Sequence, residues 1–239
     1  MAAVYDNSIA TGSFSVGVTS VTTASFTITS SANRAAMVCL AVNLNTVTVS
    51  AMHCGGVTGA AITGADTGTG KNIRVVCWGV TAPASGSQTA DASWNTSTTA
   101  ALGVVTASGV DQTTPLNHGN AATSATASVS VSITSASGDL TATAAYTDDA
   151  WTGGFTNQTL KWSVGTGVSY SGDVGPGTGT TTHTWTDQFS GQQLTCAGAN
   201  FVASGGGGSA SITPIVDTRT LTGIASSPVI GNVLQPTTP

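Results

Sequence analysis

Glutamate does not occur in this chain: all ten of its acids are Asp, and with five basic residues they bring charge to only 6% of 239 residues. Soluble proteins carry about 25%. General acids and bases, metal ligands and phosphate clamps come largely from that pool, so the composition speaks against an enzyme. Cations are scarcest, limited to Arg34, Lys71, Arg74, Lys161 and Arg219. At a net charge of −5 and a pI near 4.6, no basic stripe is present to neutralise a phosphate backbone. Nucleic acid is not an expected partner.

Export and membrane signals are missing as well. The opening residues 1–8 have no positive region and no apolar run of signal-peptide length, and no segment approaches the roughly 18 apolar residues of a membrane helix. The expectation is a soluble protein made in the cytoplasm, with no membrane partner. Cys39, Cys54, Cys77 and Cys196 show neither Cys-x-x-Cys spacing nor clustered His, which argues against zinc. They read as small buried strand residues with free thiols; a disulfide formed after release from the cell is the alternative.

What remains is Thr, Ser, Ala and Gly around short apolar runs. A hydrophobic fraction of 40% and a mean hydropathy of +0.22 mark a folded chain. Residues 13–18 and 23–29 alternate with the two-residue period of half-buried strands. The continuous apolar run 35–42 suits a central strand, and 46–51 follows. Gly55-Gly56 supplies the positive φ angles of a tight hairpin. Strands are expected at 73–80, 88–94, 100–108, 127–133, 140–146, 180–185 and 194–202. Turns fall at Pro83 and Gly86, 109–115 and Ser137-Gly138. Residues 151–179, rich in glycine, read as looser. Trp78, Trp94, Trp151, Trp162 and Trp185 are expected to anchor a core otherwise built of Ala, Val and Thr.

The predicted architecture is an all-β, antiparallel β-sandwich, jelly-roll-like, over residues 1–203, with an extended C-terminal arm. A glycine-rich linker spans 204–210, and a Pro-containing arm spans 211–239. The arm is too broken to fold alone and is expected to dock across an adjacent subunit. A core so poor in aromatics gains by burying outer faces against neighbours, and a homo-oligomer is therefore expected.

Several motifs occur in order: Ser31-Ala32-Asn33-Arg34 before an apolar strand, Cys54-Gly55-Gly56-Val57, Trp78-Gly79-Val80-Thr81-Ala82-Pro83, Gly109-Val110-Asp111-Gln112-Thr113-Thr114-Pro115 and Ser137-Gly138-Asp139-Leu140. Together they resemble a β-sandwich family found in uncharacterised bacteriophage virion proteins and bacterial surface proteins, across about residues 10–203. The resemblance implies a sandwich or jelly roll and suggests a virion; it brings no catalytic residues with it. Read physically, Gly109 permits an unusual backbone angle, Asp111 caps its own turn and Pro115 fixes the exit. Arg34 is a loop-to-strand gatekeeper.

Other candidates are weaker. Asp148-Asp149 with Asp173 lack the dense acid spacing of a calcium loop and read as a solvated turn. His53, His118 and His183 lie far apart, outside any nucleophile motif, and read as surface residues. Residues 205–208 lack the Lys of a phosphate-binding loop. Trp151 and Trp162 fit core packing better than sugar stacking, although a glycan remains a partner this chemistry permits.

No catalytic, cofactor-binding or metal-ligating residue is assigned, no cofactor is expected, and binding residues are unknown. The functional expectation is a non-enzymatic virion structural protein of a tailed phage, made in the host cytoplasm, with a capsid decoration (cement) subunit preferred to a tail or fibre component. Its partners would be other virion proteins, such as a major capsid protein. The alternative is an extracellular bacterial β-sandwich acting as a carbohydrate-binding module or surface filament subunit.

Overall fold

The structure is a computed structural model that describes residues 1–44, 46–68, 72–147, 151–153, 158–165, 169–187 and 193–205. The chain divides into two compact units, Met1–Gly207 and Gly208–Pro239. All described residues belong to the first. Most of the glycine-rich linker, and the whole arm 211–239, lie outside the described residues.

The described residues form strands, turns and no helix. The first half runs β1 (Val4–Ala10), β2 (Ser15–Thr22), β3 (Phe26–Ile28), β4 (Ala35–Val42), β5 (Val49–Cys54), β6 (Val57–Thr58), β7 (Ala60–Asp66), β8 (Arg74–Thr81), β9 (Gly86–Gln88) and β10 (Ala90–Ser108). The second half runs β11 (Leu116–Ser124), β12 (Ser128–Thr134), β13 (Leu140–Thr147), β14 (Trp151–Gly153), β15 (Thr159–Val164), β16 (Ser169–Pro176), β17 (Thr180–Asp187) and β18 (Leu194–Phe201). Every strand pairing is antiparallel. The architecture is the expected all-β one, consistent with a β-sandwich and including a curled half-barrel.

The first half builds an eight-stranded sheet in the order β6-β5-β10-β4-β8-β7, with β1 and β2 on the other edge of β10; β3 and β9 form a small ribbon. Its organising strand is β10. Residues 88–94 and 100–108, expected as two strands, join because Asn95-Thr96-Ser97-Thr98-Thr99 contains neither Gly nor Pro to stop pairing. The break appears instead as register shifts between Ser93 and Thr98, which bend the strand without ending it. Its first part therefore lies between β5 and β2, and its second between β4 and β1.

The second half builds a five-stranded sheet, β11-β18-β13-β16-β15, and a three-stranded one, β12-β17-β14. The core forms three layers of contact. Ala35, Met37, Cys39 and Ala41 of β4 meet Ala142, Ala144 and Tyr146 of β13 and Tyr170 of β16 in a central cluster. The alternate residues Ala36, Val38, Leu40 and Val42 pack on the other side with Phe26, Ile28, Met52 and Trp94. Because both faces of β4 are covered, its run is apolar throughout and no residue in it is exposed. A third cluster holds Val129, Val131, Ile133 and Trp185 against Ala145, Leu194 and Cys196.

Several strands depart from the sequence reading, among them β7, β14 and β15. Residues 4–10 and 116–124 carry little alternation yet pair as β1 and β11. Within the stretch read as loose, Ser169–Pro176 is a buried strand. Its glycines make room for a neighbour: a Cβ on Gly172 would stand 2.0 Å from the Trp162 indole, and one on Gly103 2.5 Å from it. Trp162 is 8% exposed and Trp185 fully buried, as core packing requires. Trp78 is only half-buried.

Cys39 and Cys77 stand directly opposite in the β4–β8 register and form a disulfide. This corrects the expectation of four free thiols for that pair. Sequence could not supply the register, and register alone decides which cysteines meet. Cys54 and Cys196 are free and buried.

Candidate functional site

Among the described residues the densest grouping of ionisable and hydroxyl side chains lies between the five-stranded and three-stranded sheets. The odd-numbered residues of β13 and β16 face β17 across this gap. Thr141, Thr143, Asp173 and His183 are all 0% exposed. Thr141 donates to the Gly175 carbonyl at 3.0 Å, so its oxygen accepts from His183 Nε2 at 2.9 Å. On the other side of the ring, His183 Nδ1 meets Asp173 Oδ1 at 3.0 Å. Thr143 also donates to that oxygen, at 2.5 Å, while accepting from the Trp185 indole at 3.2 Å.

Donors and acceptors balance with Nε2 protonated and one proton lying between His183 Nδ1 and Asp173 Oδ1. The pair has zero net charge whichever atom holds that proton, and within the cluster Asp173 Oδ2 lacks a hydrogen-bond partner. The order hydroxyl, imidazole, carboxylate is that of a nucleophile relay. Here all three groups are sealed, and none of the open grooves described below is lined by them. What the cluster does as it stands is tie β13, β16 and β17 together.

A second buried group joins the sheet ends. Asp139 accepts from the amides of Ala203 and Ala136, each at 2.8 Å, and from the Asn200 side chain at 2.8 Å. Thr147 donates to Asp187 at 2.5 Å.

The residues singled out by sequence are distributed rather than gathered. Asp111 accepts from Thr113 and Thr114 amides at 2.8 and 2.7 Å, and Gly109 has φ 68°; the Gly-Val-Asp-Gln-Thr-Thr-Pro turn is capped as predicted. The Pro115 carbonyl accepts from Val202, joining the turn to the end of β18. Arg34 pins its loop, donating to the carbonyls of Pro83 and Ser31 at 3.0 and 2.6 Å. Gly55 and Gly56 take φ 58° and 74° at the β5–β6 hairpin.

His53 pairs with Asp91 at 2.8 Å at the surface, and His118 is exposed. His183 corrects the reading of surface histidines, and Asp173 corrects that of a solvated turn: both are sealed by the third sheet. Asp148, Asp149 and the Trp151 side chain lie outside the described residues. No group of three metal-ligating side chains occurs among the described residues.

Open grooves also lie among the described residues, two of them larger than a third beside Asp66 and Ala121. One is lined by residues 60–63 of β7, Gly79 and Thr81 of β8, and residues 115–118. The other lies on the outer face of the large sheet, between residues 46–49 and β7, with Arg74, Val76 and Trp78 of β8 in it. Sequence reasoning placed Trp78 in the core; the only signal for the groove was the polar Asp66 and Arg74 flanking an apolar strand.

Comparison with family models, with curated proteins and with solved structures finds no match for this chain.

Proposed function

We propose that this chain is a non-enzymatic structural subunit of a virion, a capsid decoration (cement) protein of a tailed bacteriophage in preference to a tail or fibre component. One observation carries the reading: the outer face of the β12–β17 ribbon is a ladder of hydroxyls without charge. Ser128, Ser130, Ser132 and Thr134 of β12 are exposed, and opposite them stand Thr186, Thr184, Thr182 and Thr180. Ser130 and Thr184 hydrogen-bond across the ladder at 2.8 Å, as do Ser132 and Thr182 at 2.9 Å.

Hydroxyls that already satisfy one another cost little to bury, because few bonds to water are lost. Such a face suits packing against a repeated protein surface or another copy of the chain. The buried roles of Asp139, Asp173, His183 and Asp187 add support, since they commit scarce acid–base groups to holding sheets together. The motif resemblance supplies the virion context, with the major capsid protein as partner and the host cytoplasm as the place of synthesis.

Antibody labelling of purified particles, followed by electron microscopy, tests the reading. Label on a regular capsid lattice supports it. Label on cell-derived fibres with no capsid overturns it. An uncharged contact face also predicts that release from particles depends weakly on salt, because there is little Coulomb attraction to screen.

A further inference from the structure

We infer that the groove bounded by Trp78 and the Arg74–Asp66 pair is a binding site for a neutral saccharide. Its origin lies in strand pairing. β7 pairs with β8 at Ala61–Trp78 and next at Asp66–Val76, so five residues of β7 span two of β8. The strand bows outward, leaving Val76 and Ala61 in a depression on the sheet. Across it runs the segment 46–49, held where the Val47 carbonyl accepts from Arg74 Nη1 at 2.5 Å. The resulting groove measures about 390 Å³, within the roughly 300–1,000 Å³ of small-molecule sites.

Its lining selects the ligand chemistry. Arg74 grips both carboxylate oxygens of Asp66, Nε to Oδ1 at 2.8 Å and Nη2 to Oδ2 at 2.5 Å, and the Gly68 amide also donates to Oδ1. The two charges cancel. An anionic ligand would find its cation already paired, and a cationic ligand its carboxylate already neutralised. What is left is an indole wall, apolar Val76 and Ala61, and neutral polar groups. Thr46 and Thr48 are exposed, and among the described residues neither hydroxyl, nor the indole N–H of Trp78, meets a hydrogen-bond partner.

A pyranose ring matches both parts, with an apolar C–H face for the indole and hydroxyls for the threonines and for the outer edge of the ion pair. This does not depend on the shell reading, because a decoration subunit serves its lattice with or without the groove. The two fail separately: particle labelling tests one, sugar binding the other.

The test uses the full chain and amide-resolved NMR titration with defined cello-, chito-, malto- and manno-oligosaccharides to about 10 mM, enough to fill most of a millimolar site. At least one sugar class should shift the Trp78 indole N–H together with amides of residues 46–49 and 74–78. Trp78→Ala should weaken that binding at least about tenfold, while Trp78→Phe, which keeps an aromatic face, should lose about threefold or less. No shift with any sugar, shifts confined elsewhere, or equal affinity in Trp78→Ala overturns the assignment. A Trp78 signal that moves with protein concentration alone would show a second copy in the groove and also overturn it. If Trp78→Ala does not fold, Thr48→Val replaces it: the exposed hydroxyl is removed at nearly constant shape, and unchanged affinity sinks the proposal.

Discussion

Asp173 and His183 meet at 3.0 Å with neither side chain reaching solvent, ten residues apart in sequence and on adjacent layers of the fold. Removing one partner leaves the other's buried polar groups unpaired. Asp173→Ala strips the partner from His183 Nδ1 and the Thr143 hydroxyl and should cost about 2–4 kcal/mol in urea unfolding. Replacing both by apolar residues, Asp173→Val with His183→Leu, should recover much of that loss, because fewer buried polar groups are left unpaired. A loss below about 1 kcal/mol for Asp173→Ala would mean that the pair is not a support of the fold.

The cysteines should separate into two classes. Burial, with Asp91 adding to it, pushes the Cys54 thiol up to about 12, and burial also raises Cys196. Since the thiolate is the reactive form, native protein should react only slowly with a thiol reagent at neutral pH. Two thiols should appear on unfolding and four after reduction. The Cys39–Cys77 bond closes a separation of 38 residues; in the chain-entropy account its reduction should cost roughly 3–4 kcal/mol. Mass spectrometry of alkylated protein, together with unfolding with and without reductant, checks both.

Acid should weaken the Asp66–Arg74 pair. Burial alone would raise this carboxyl, but the Arg74 hydrogen bonds, the Gly68 amide and the Arg74 charge outweigh it, and the net direction is down. A depressed folded value means that the contribution is present above the unfolded Asp value of about 3.9. It is lost as pH falls through the lower folded value. The Asp66 side chain is 37% exposed, so solvent screening keeps the effect small. Thermal unfolding between about pH 6 and 2 should show Asp66→Asn less stable than the parent at the upper end, with the gap closing in acid. A gap independent of pH would contradict the assignment.

Trp162 lies across two glycines, and methyl groups there have nowhere to go. Gly172→Ala should destabilise by about 1–3 kcal/mol through overpacking, and Gly103→Ala should behave alike. Trp162→Phe, which shrinks the ring, should reduce the penalty of either substitution. Urea midpoints of the single and double variants measure the coupling. Additive losses would show that the indole is not what fills the slots.

Much of the strand layout could be read locally. The run 35–42 becomes β4, the alternation at 127–133 becomes β12 shifted by one residue, and the turns at Gly55-Gly56 and Asp111 form as their chemistry requires. These readings succeeded because strand period and turn capping depend on neighbours within a few residues. β16 was hidden because Gly172 looks like a turn residue until Trp162, ten residues earlier, is laid upon it. The buried cluster was hidden for a related reason: Thr141 and Thr143 look like outward-facing strand residues, and Asp173 like a solvated turn residue, until a third layer covers them.

By itself, then, the sequence determined an all-β chain with scarce charge, fixed turns and one strand apolar on both faces. Those are properties of composition and short-range periodicity. Tertiary structure decided which polar residues are sealed, which two cysteines join and which tryptophan stays at the surface. Each depends on strand register and layer order, set by contacts between residues far apart in the chain. The physical measure is the Asp173–His183 pair: exposed, it would be two ordinary surface groups, and only the β12–β17 layer makes it a buried hydrogen-bonded pair that ties the sheets together.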